Sequence, residues 1–318
     1  MSSSRIERTP RVTIGIPAYR NARTIRATID SVLAQSYGDF KVVISDDVSP
    51  DGTAEICRSI AATDSRITFV QQPQNLNYGN FRYLVNTADT EYFMWLAGDD
   101  TIAPDYVKEN LRILEARKDV VLSVSKCLFV SGERHIGLAT GTYPLMGPTN
   151  DNVLRYMFRP CDNTRMYGIF RTEVLSKSFP KKDFFGYDFV VSLISLLYGK
   201  HYEIPHIMMR RDYTPRENYV SMMRRDADSL ISQWFPAWGL TKDAIGRPDF
   251  PRNWKTMILL FSVNIYHHYS VCAKYHPRYA ALLPPLIKVW DRHVSWRANP
   301  WSSEEIAIAT AEAEFDGR

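Results

Sequence analysis

The sequence of 318 residues predicts an α/β fold: a mixed, mainly parallel sheet flanked by helices, with a helical C-terminal extension. Three observations lead there. The first 125 or so residues alternate short β-branched runs with helical periodicities, the pattern of a parallel sheet with covering helices. The run 91–97 is almost wholly apolar, as a strand covered on both faces should be. Beyond about residue 221 only helical patterns remain, rich in tryptophan and arginine.

Residues 12–16 form the first predicted strand, ended by Pro17. From Ala22 the apolar positions Ile25, Ile29, Val32 and Leu33 share one helical face, with Asn21 as the cap. Residues 40–45 give a second strand that runs into Asp46 and Asp47. Ser49 and Pro50 then supply a cap and a first-turn proline for a helix reaching about residue 62. Residues 67–71 are a third strand, and Phe81, Leu84, Val85 and Ala88 stripe the helix after Gly79. The fourth strand, 91–97, ends at a second acidic pair, Asp99 and Asp100. Pro104 opens a helix carrying Val107, Leu111 and Leu114, and 120–124 is a fifth strand. From Ser131 to Asp151 glycine, proline and polar residues suit a mobile loop better than core. Residues 165–170 read as a strand and 187–198 as a helix with Phe189, Leu193, Leu196 and Leu197 inward. The expected organisation is a flexible segment 1–10, a main domain 11–215 with halves 11–130 and 131–215, and a helical region 216–318.

A hydrophobic content of 45% in a chain of this length supports a large core. The net charge of +4 falls short of the dense basic face that nucleic-acid binding needs, so no nucleic-acid partner is expected. Cys57, Cys127, Cys161 and Cys272 lie far apart without metal-binding spacing, which suits free thiols in a reducing compartment. Residues 1–10 lack the apolar stretch of a secretory signal, and the longest apolar run, 257–266, is too short to span a membrane. A cytoplasmic location follows. The tail tryptophans Trp254, Trp290, Trp296 and Trp301 among basic residues are compatible with peripheral contact at the inner face of a membrane. They are equally compatible with packing on the main domain or on a second subunit in a homo-oligomer.

In open parallel sheets, ligands bind beyond the carboxyl ends of the strands. Two of the predicted strands end there in paired carboxylates, Asp46-Asp47 and Asp99-Asp100. Like charges gathered in one crevice call for a cation or ligand donors to fill it. Hard oxygen ligands without histidine or cysteine suit Mg²⁺ or Mn²⁺ shared with substrate phosphates. Neither a G-x-x-x-x-G-K-[ST] loop nor G-x-G-x-x-G is present, which removes P-loop enzymes and dinucleotide dehydrogenases. Metal-assisted handling of a nucleoside diphosphate remains.

The stretch Val12-Thr-Ile-Gly-Ile-Pro-Ala-Tyr19, then Ser31-Val-Leu-Ala-Gln35, Val43-Ile-Ser-Asp-Asp-Val-Ser-Pro-Asp-Gly-Thr53, Asn77-Tyr-Gly79 and Trp95-Leu-Ala-Gly-Asp-Asp100 resembles the inverting glycosyltransferases of family 2, which have the GT-A fold. A weaker likeness continues in Tyr167-Gly-Ile-Phe-Arg171 and Gly186-Tyr-Asp188, and none extends beyond about residue 216. The resemblance implies a metal-dependent transfer of one sugar from a nucleoside diphosphate sugar donor to a hydroxyl of a carbohydrate or lipid-linked acceptor, as in surface polysaccharide or glycolipid assembly. Pro17, Ala18 and Tyr19 would line the nucleotide pocket, and Asp47, with Asp46 a close second, would accept a hydrogen bond from the base. Asp99 would face the ribose or donor sugar, and Asp100 would hold the metal, with the choice between these two open. Asp188 would be the catalytic base, with Asp183 its nearest rival. Two departures stand out: Arg20 replaces an asparagine and Val48 a glycine. The first offers a cation to the donor diphosphate, and the second is expected to disfavour a positive φ.

Arg210, Arg211, Arg216, Arg224 and Arg225 follow the candidate base and suit either phosphates or a solvated face. Tyr213, Tyr219, Trp234 and Trp238 suit either sugar stacking or core. His267 and His268 point in different directions on one helix, which disfavours a joint metal site. A sugar-nucleotide nucleotidyltransferase would need a glycine-rich basic loop after the first strand, and 17–21 has no glycine. A processive synthase would need Gln-x-x-Arg-Trp, and Gln233-Trp-Phe-Pro-Ala does not supply it. A catalytically inactive scaffold fits poorly with the full set of acidic positions.

Overall fold

The structure is a computed structural model, and it describes residues 10–213, 223, 227 and 229–281. The sequence-predicted strands fold first around a parallel core. β1 (Val12–Ala18) pairs in parallel with β2 (Phe40–Asp46) on one side and with β4 (Tyr92–Trp95) on the other. β3 (Ile67–Gln71) extends β2 in parallel. Helices α1 (Ile25–Leu33), α2 (Thr53–Ala61) and α3 (Tyr78–Asn86) make the crossovers. Both faces of β4 are covered, and all four of its residues are buried, which explains the unbroken apolar run.

Beyond β4 the sheet becomes mixed. After β5 (Thr101–Ile102) and α4 (Tyr106–Ala116) comes β6 (Val120–Ser131), a strand much longer than the expected 120–124. β6 does not join β4 directly, because β8 (Ile169–Arg171) lies antiparallel between them. Beyond β6 lies β9 (Lys200–Asp212), parallel to β6 over almost its whole length and antiparallel at its end to β5, which forms the edge. The order is β3-β2-β1-β4-β8-β6-β9-β5, with β7 (Arg134–Leu138) hairpinned onto β6.

Several local expectations are corrected. The second helix starts at Thr53 rather than at Ser49-Pro50, because Asp51 turns the chain first, accepting from the Ala22 and Thr53 backbone N–H groups. The Asn21 side chain does not cap α1. Its carbonyl accepts from Thr24 and Ile25, while its Oδ1 accepts from the Tyr19 N–H. The segment 131–151 is not a loose loop: it holds β7, buries Leu145 and enters α5 (Thr149–Phe158). Residues 164–167 form a 3₁₀ turn before β8 rather than the start of a strand. α6 (Thr172–Ser178) and α7 (Tyr187–Ser195) follow.

The described part of the C-terminal region is helical, as expected: α8 (Leu230–Trp234), α9 (Trp238–Gly246), α10 (Trp254–Tyr275) and α11 (Pro277–Ala280). Leu240, Ala244, Phe250 and Leu260 join Val190, Leu193 and Ile194 of α7 in one apolar cluster, which docks these helices on the main domain. The opposite flank of α10 exposes Trp254, Ile258 and Phe261. Trp234 stacks on His276, and Tyr213 packs against Phe129, each ring partly exposed. Arg216, Tyr219, Arg224, Arg225, Trp290, Trp296 and Trp301 lie outside the described residues. No described helix is long and apolar enough to cross a membrane.

His267 and His201 are buried, and burial pushes both imidazoles down, His267 to about 4; for His201 the Arg165 cation adds to the effect. Unfolding lets each histidine bind a proton below its ordinary pKa near 6.5. Stability is therefore expected to fall as pH drops from about 6.5 towards 4, by up to about 1.4 kcal/mol per pH unit for each histidine. Melting temperatures across that range, with His267→Gln flattening the profile, check this; an unchanged slope in the variant would contradict it.

Candidate functional site

The carboxyl ends of β1, β2 and β4 lie side by side at one end of the sheet, where the chain turns at 18–21, 46–49 and 97–100. Pro17 is partly buried, Ala18 is buried, and Tyr19 and Arg20 are exposed at the rim, with the Arg20 guanidinium 5.2 Å from the Tyr19 ring centre. The Arg20 N–H donates to the Ser49 hydroxyl, joining the first two turns. Val48 takes φ 59° and Arg20 φ 56°. The expectation that valine would avoid a positive φ is thus overturned. The turn is held by Ser49, whose N–H donates to Asp46 Oδ2 and whose hydroxyl accepts from Arg20. A β-branched residue in this region stores roughly 1–3 kcal/mol of strain.

Asp46 and Asp47 diverge. Asp47 accepts from the Leu76 and Asn77 N–H groups, one on each carboxylate oxygen, and so anchors the loop before α3. Burial raises its pKa against those two bonds. Asp46 is fully buried, and its Oδ1 has no partner among the described residues.

At the end of β4 the acidic turn packs against α1. Thr24 donates to the Gly98 carbonyl, and a Cβ at Gly98 would meet the Asn21 side chain at 2.8 Å, so glycine is what permits the approach. Asp99 is partly exposed, whereas Asp100 is 2% exposed. Both Asp100 oxygens are taken up by the end of β9: Oδ2 accepts from Arg211 Nε at 3.0 Å and Oδ1 from the Asp212 N–H at 3.1 Å. Burial raises the Asp100 pKa to about 7 even though Arg211 pulls it down. Arg211 is itself raised: burial would lower it, but the Asp100 carboxyl outweighs that.

Arg211 also lies 4.1 Å from the Tyr167 ring centre and donates to the Thr164 hydroxyl. Through Thr164 the clasp reaches the loop 161–164, where Cys161 and Asn163 adopt positive φ. Asn163 accepts from the Tyr156 hydroxyl and donates from Nδ2 to Asp188 Oδ2 at 3.0 Å. Asp188 sits in the first turn of α7, directly after Gly186 in a left-handed conformation. Its packed surroundings raise its pKa against the Asn163 bond, which suits a group that must accept a proton. The rival Asp183 instead makes an ion pair with Arg82.

Tyr167 is the common neighbour: burial raises its pKa to about 12, and its electrostatic surroundings include Arg211, Asp100, Asp99 and Asp188. Contacts link the two carboxylate positions: Arg211 joins Asp100 to Thr164, the neighbouring Asn163 holds Asp188, and the Tyr167 ring lies against Arg211. Asp46 and Asp47 sit at the next strand end, with Pro17, Ala18 and Tyr19 beyond. Asn163 and Thr164 have no sequence signal apart from the tolerance of asparagine for positive φ. Arg211 has one: a buried carboxylate needs a cation, and an arginine run follows the candidate base. Among the described residues no three histidine, cysteine or acidic side chains converge to cage a metal.

Residues 13–179 match the family model described as "Glycosyl transferase family 2", more than half of the chain. The glycosyltransferase GlyA of Streptococcus pneumoniae is 28% identical over 114 residues, which is 35% of this chain and 16% of that one. The matched stretches span 12% to 40% of the lengths of such curated relatives. Among solved structures, S. aureus TarS 1-349 in complex with UDP-GlcNAc superposes with a TM-score of 0.57 at 14% identity, over 96% of this chain and 92% of that one. The mannosyltransferase PcManGT from Pyrobaculum calidifontis, in complex with GDP-Man and Mn²⁺, superposes with a TM-score of 0.54 at 18% identity, covering 96% and 84%. At these identities the likeness carries the fold, which is GT-A.

Proposed function

We propose, from the premise that the chain belongs to glycosyl transferase family 2 and is a glycosyltransferase, that it moves one sugar from a nucleoside diphosphate sugar to an acceptor hydroxyl with inversion and with the help of Mg²⁺ or Mn²⁺. The observation that carries this reading is the linkage of the acidic turn at the end of β4 to Asp188 through Arg211 and the loop residues Thr164 and Asn163. Nucleotide complexes of the two structural neighbours support the donor class.

In this reading Pro17, Ala18 and Tyr19 line the nucleotide pocket, with Asp47 and Asp46 beside the base. Asp46 Oδ1, buried without a partner, is the better placed of the two to accept a further hydrogen bond. The metal is assigned to Asp99 rather than to Asp100, because both Asp100 oxygens already accept bonds from β9. A single carboxylate completed by diphosphate oxygens is a usual way to hold Mg²⁺ or Mn²⁺, and these residues fit it. When bound, the ion supplies several kcal/mol of charge stabilisation to the departing diphosphate. Asp188 takes the proton of the acceptor hydroxyl as its oxygen bonds to the anomeric carbon. The bond from that carbon to the diphosphate oxygen breaks, and the nucleoside diphosphate leaves. Surface polysaccharide or glycolipid assembly, in the cytoplasm or at the inner face of a membrane, is the setting that suits such a reaction.

The test is a panel of nucleoside diphosphate sugars with and without Mn²⁺, read by melting temperature and by product. One donor is expected to stabilise the protein by a few degrees, and only with metal. A triphosphate-dependent product, or no donor binding at all, would sink the reading.

A further inference from the structure

Between β6, β9, the link from β7 to α5 and the end of α5 lies a cavity of about 220 Å³. It is lined by Lys126 of β6, by Thr140, Thr142 and Tyr143 from the link between β7 and α5, and by Arg155 and Arg159 of α5. One carboxylate, Glu203, also reaches its wall. None of Lys126, Arg155 and Arg159 forms an ion pair with a carboxylate among the described residues. Arg155 instead lies 5.3 Å from the Tyr143 ring centre.

The charge is reinforced from beneath. Arg165 is completely buried, with its guanidinium 4.5 Å from the centre of the same Tyr143 ring. Its guanidinium meets the Tyr143 carbonyl and His201 Nδ1, and its Nε has no partner among the described residues. A buried cation without a counter-ion is costly, and the cost falls when an anion settles nearby. Three cations therefore line a concave site with a single carboxylate and hydroxyls at hand, and a fourth, Arg165, lies behind the Tyr143 ring.

The cavity adjoins the loop that holds Asp188. The Thr140 and Gly141 N–H groups donate to Asp162. Asp162 in turn accepts from the Thr164 N–H, fixing the loop whose Asn163 holds Asp188.

We propose that this cavity binds a phosphate group, a monoester or diester carried by the acceptor, outside the crevice that takes the donor. Arginine forks match phosphate oxygens bidentately, and a pocket of this size holds one such group with part of its substituent. The anion site stands on its own residues; its role as an acceptor subsite rests on the transferase reading above. Two sources share the chemistry, a lipid headgroup and a soluble phosphodiester.

The test compares the wild-type protein with Arg155→Gln/Arg159→Gln. Both arginines are exposed, and the Tyr143 hydroxyl bond goes to the Arg159 carbonyl, which the substitution keeps. Inorganic phosphate and glycerol 3-phosphate binding, read by calorimetry, is expected to weaken by roughly tenfold or more in the variant. Metal-dependent binding of nucleoside diphosphates is expected to stay unchanged. Loss of glycerol 3-phosphate binding alone, or of sedimentation with phosphatidylglycerol but not phosphatidylcholine vesicles, supports the site and assigns the phosphate to a soluble or a lipid source. Equal phosphate binding by the two proteins, or none by the wild type, overturns the site. Failure of nucleoside diphosphate binding in both proteins would count against the transferase reading and leave the phosphate comparison to stand by itself.

Discussion

Asp188→Asn is expected to lower transfer by roughly 10²- to 10⁴-fold while leaving donor affinity within a few-fold of wild type. The asparagine keeps the shape of the side chain and can still meet Asn163, so α7 and its first turn should stand unchanged. What disappears is the proton acceptor. Because packing raises the Asp188 pKa above the ordinary carboxylate value of 3.8, wild-type turnover should rise with pH through that higher value. The variant should lack this limb. Single-turnover kinetics across acidic pH read both effects, and wild-type rates in the variant would remove Asp188 from the mechanism. Asp183→Asn is the control: its partner is Arg82 at the edge of α3, and its loss should cost stability before chemistry.

The second large effect separates two adjacent carboxylates. Arg211→Met should destabilise the protein by about 3–5 kcal/mol, because it leaves Asp100 buried with no cation. Denaturant titration reads this directly. Asp100→Leu combined with Arg211→Met should recover much of the loss, since an apolar pair often replaces a buried ion pair at little cost. Asp99→Ala should do the reverse, abolishing metal-dependent donor binding with a smaller loss of stability than Arg211→Met. A loss of less than about 1 kcal/mol for Arg211→Met would mean that the clasp is weak, and would return Asp100 to contention as the metal ligand.

Legibility in the sequence follows burial. β1, β2 and β4 lie where the apolar runs put them, because strands covered on both faces are largely unbroken in hydrophobicity, and the edge strand β3 lies at its expected residues with Thr68 and Gln71 exposed. The acidic turns follow from that, as the strand ends fix where the carboxylates point. β9 is illegible for a local reason: Pro205 interrupts it, and register shifts beside residues 125–127 of β6 break the alternation of buried side chains. Arg211 therefore reads as one member of a surface arginine run, when it is the partner that Asp100 requires. Arg165 reads as a strand residue, although its side chain is a buried cation under Tyr143. Val48 shows the limit of residue preference. A network of hydrogen bonds around Ser49 holds a valine where glycine would sit without strain.

The long β6–β9 pairing also sets an order of assembly. It joins residues 120–130 to 200–212, so everything between them is a loop that closes only when this ladder forms. Closing so long a loop carries an entropy cost that the local β1–β2 and β2–β3 crossovers avoid. The turns at 18–21 and 46–49 come from short-range folding units, whereas the acidic turn at 97–100, through the β1–β4 pair, and Asp188, Asn163 and the Arg211 clasp depend on long-range closures. If the proposed roles hold, a partly melted chain keeps the turns beside the nucleotide base longer than it keeps the acidic turn and Asp188 in register, so transfer is lost before base recognition.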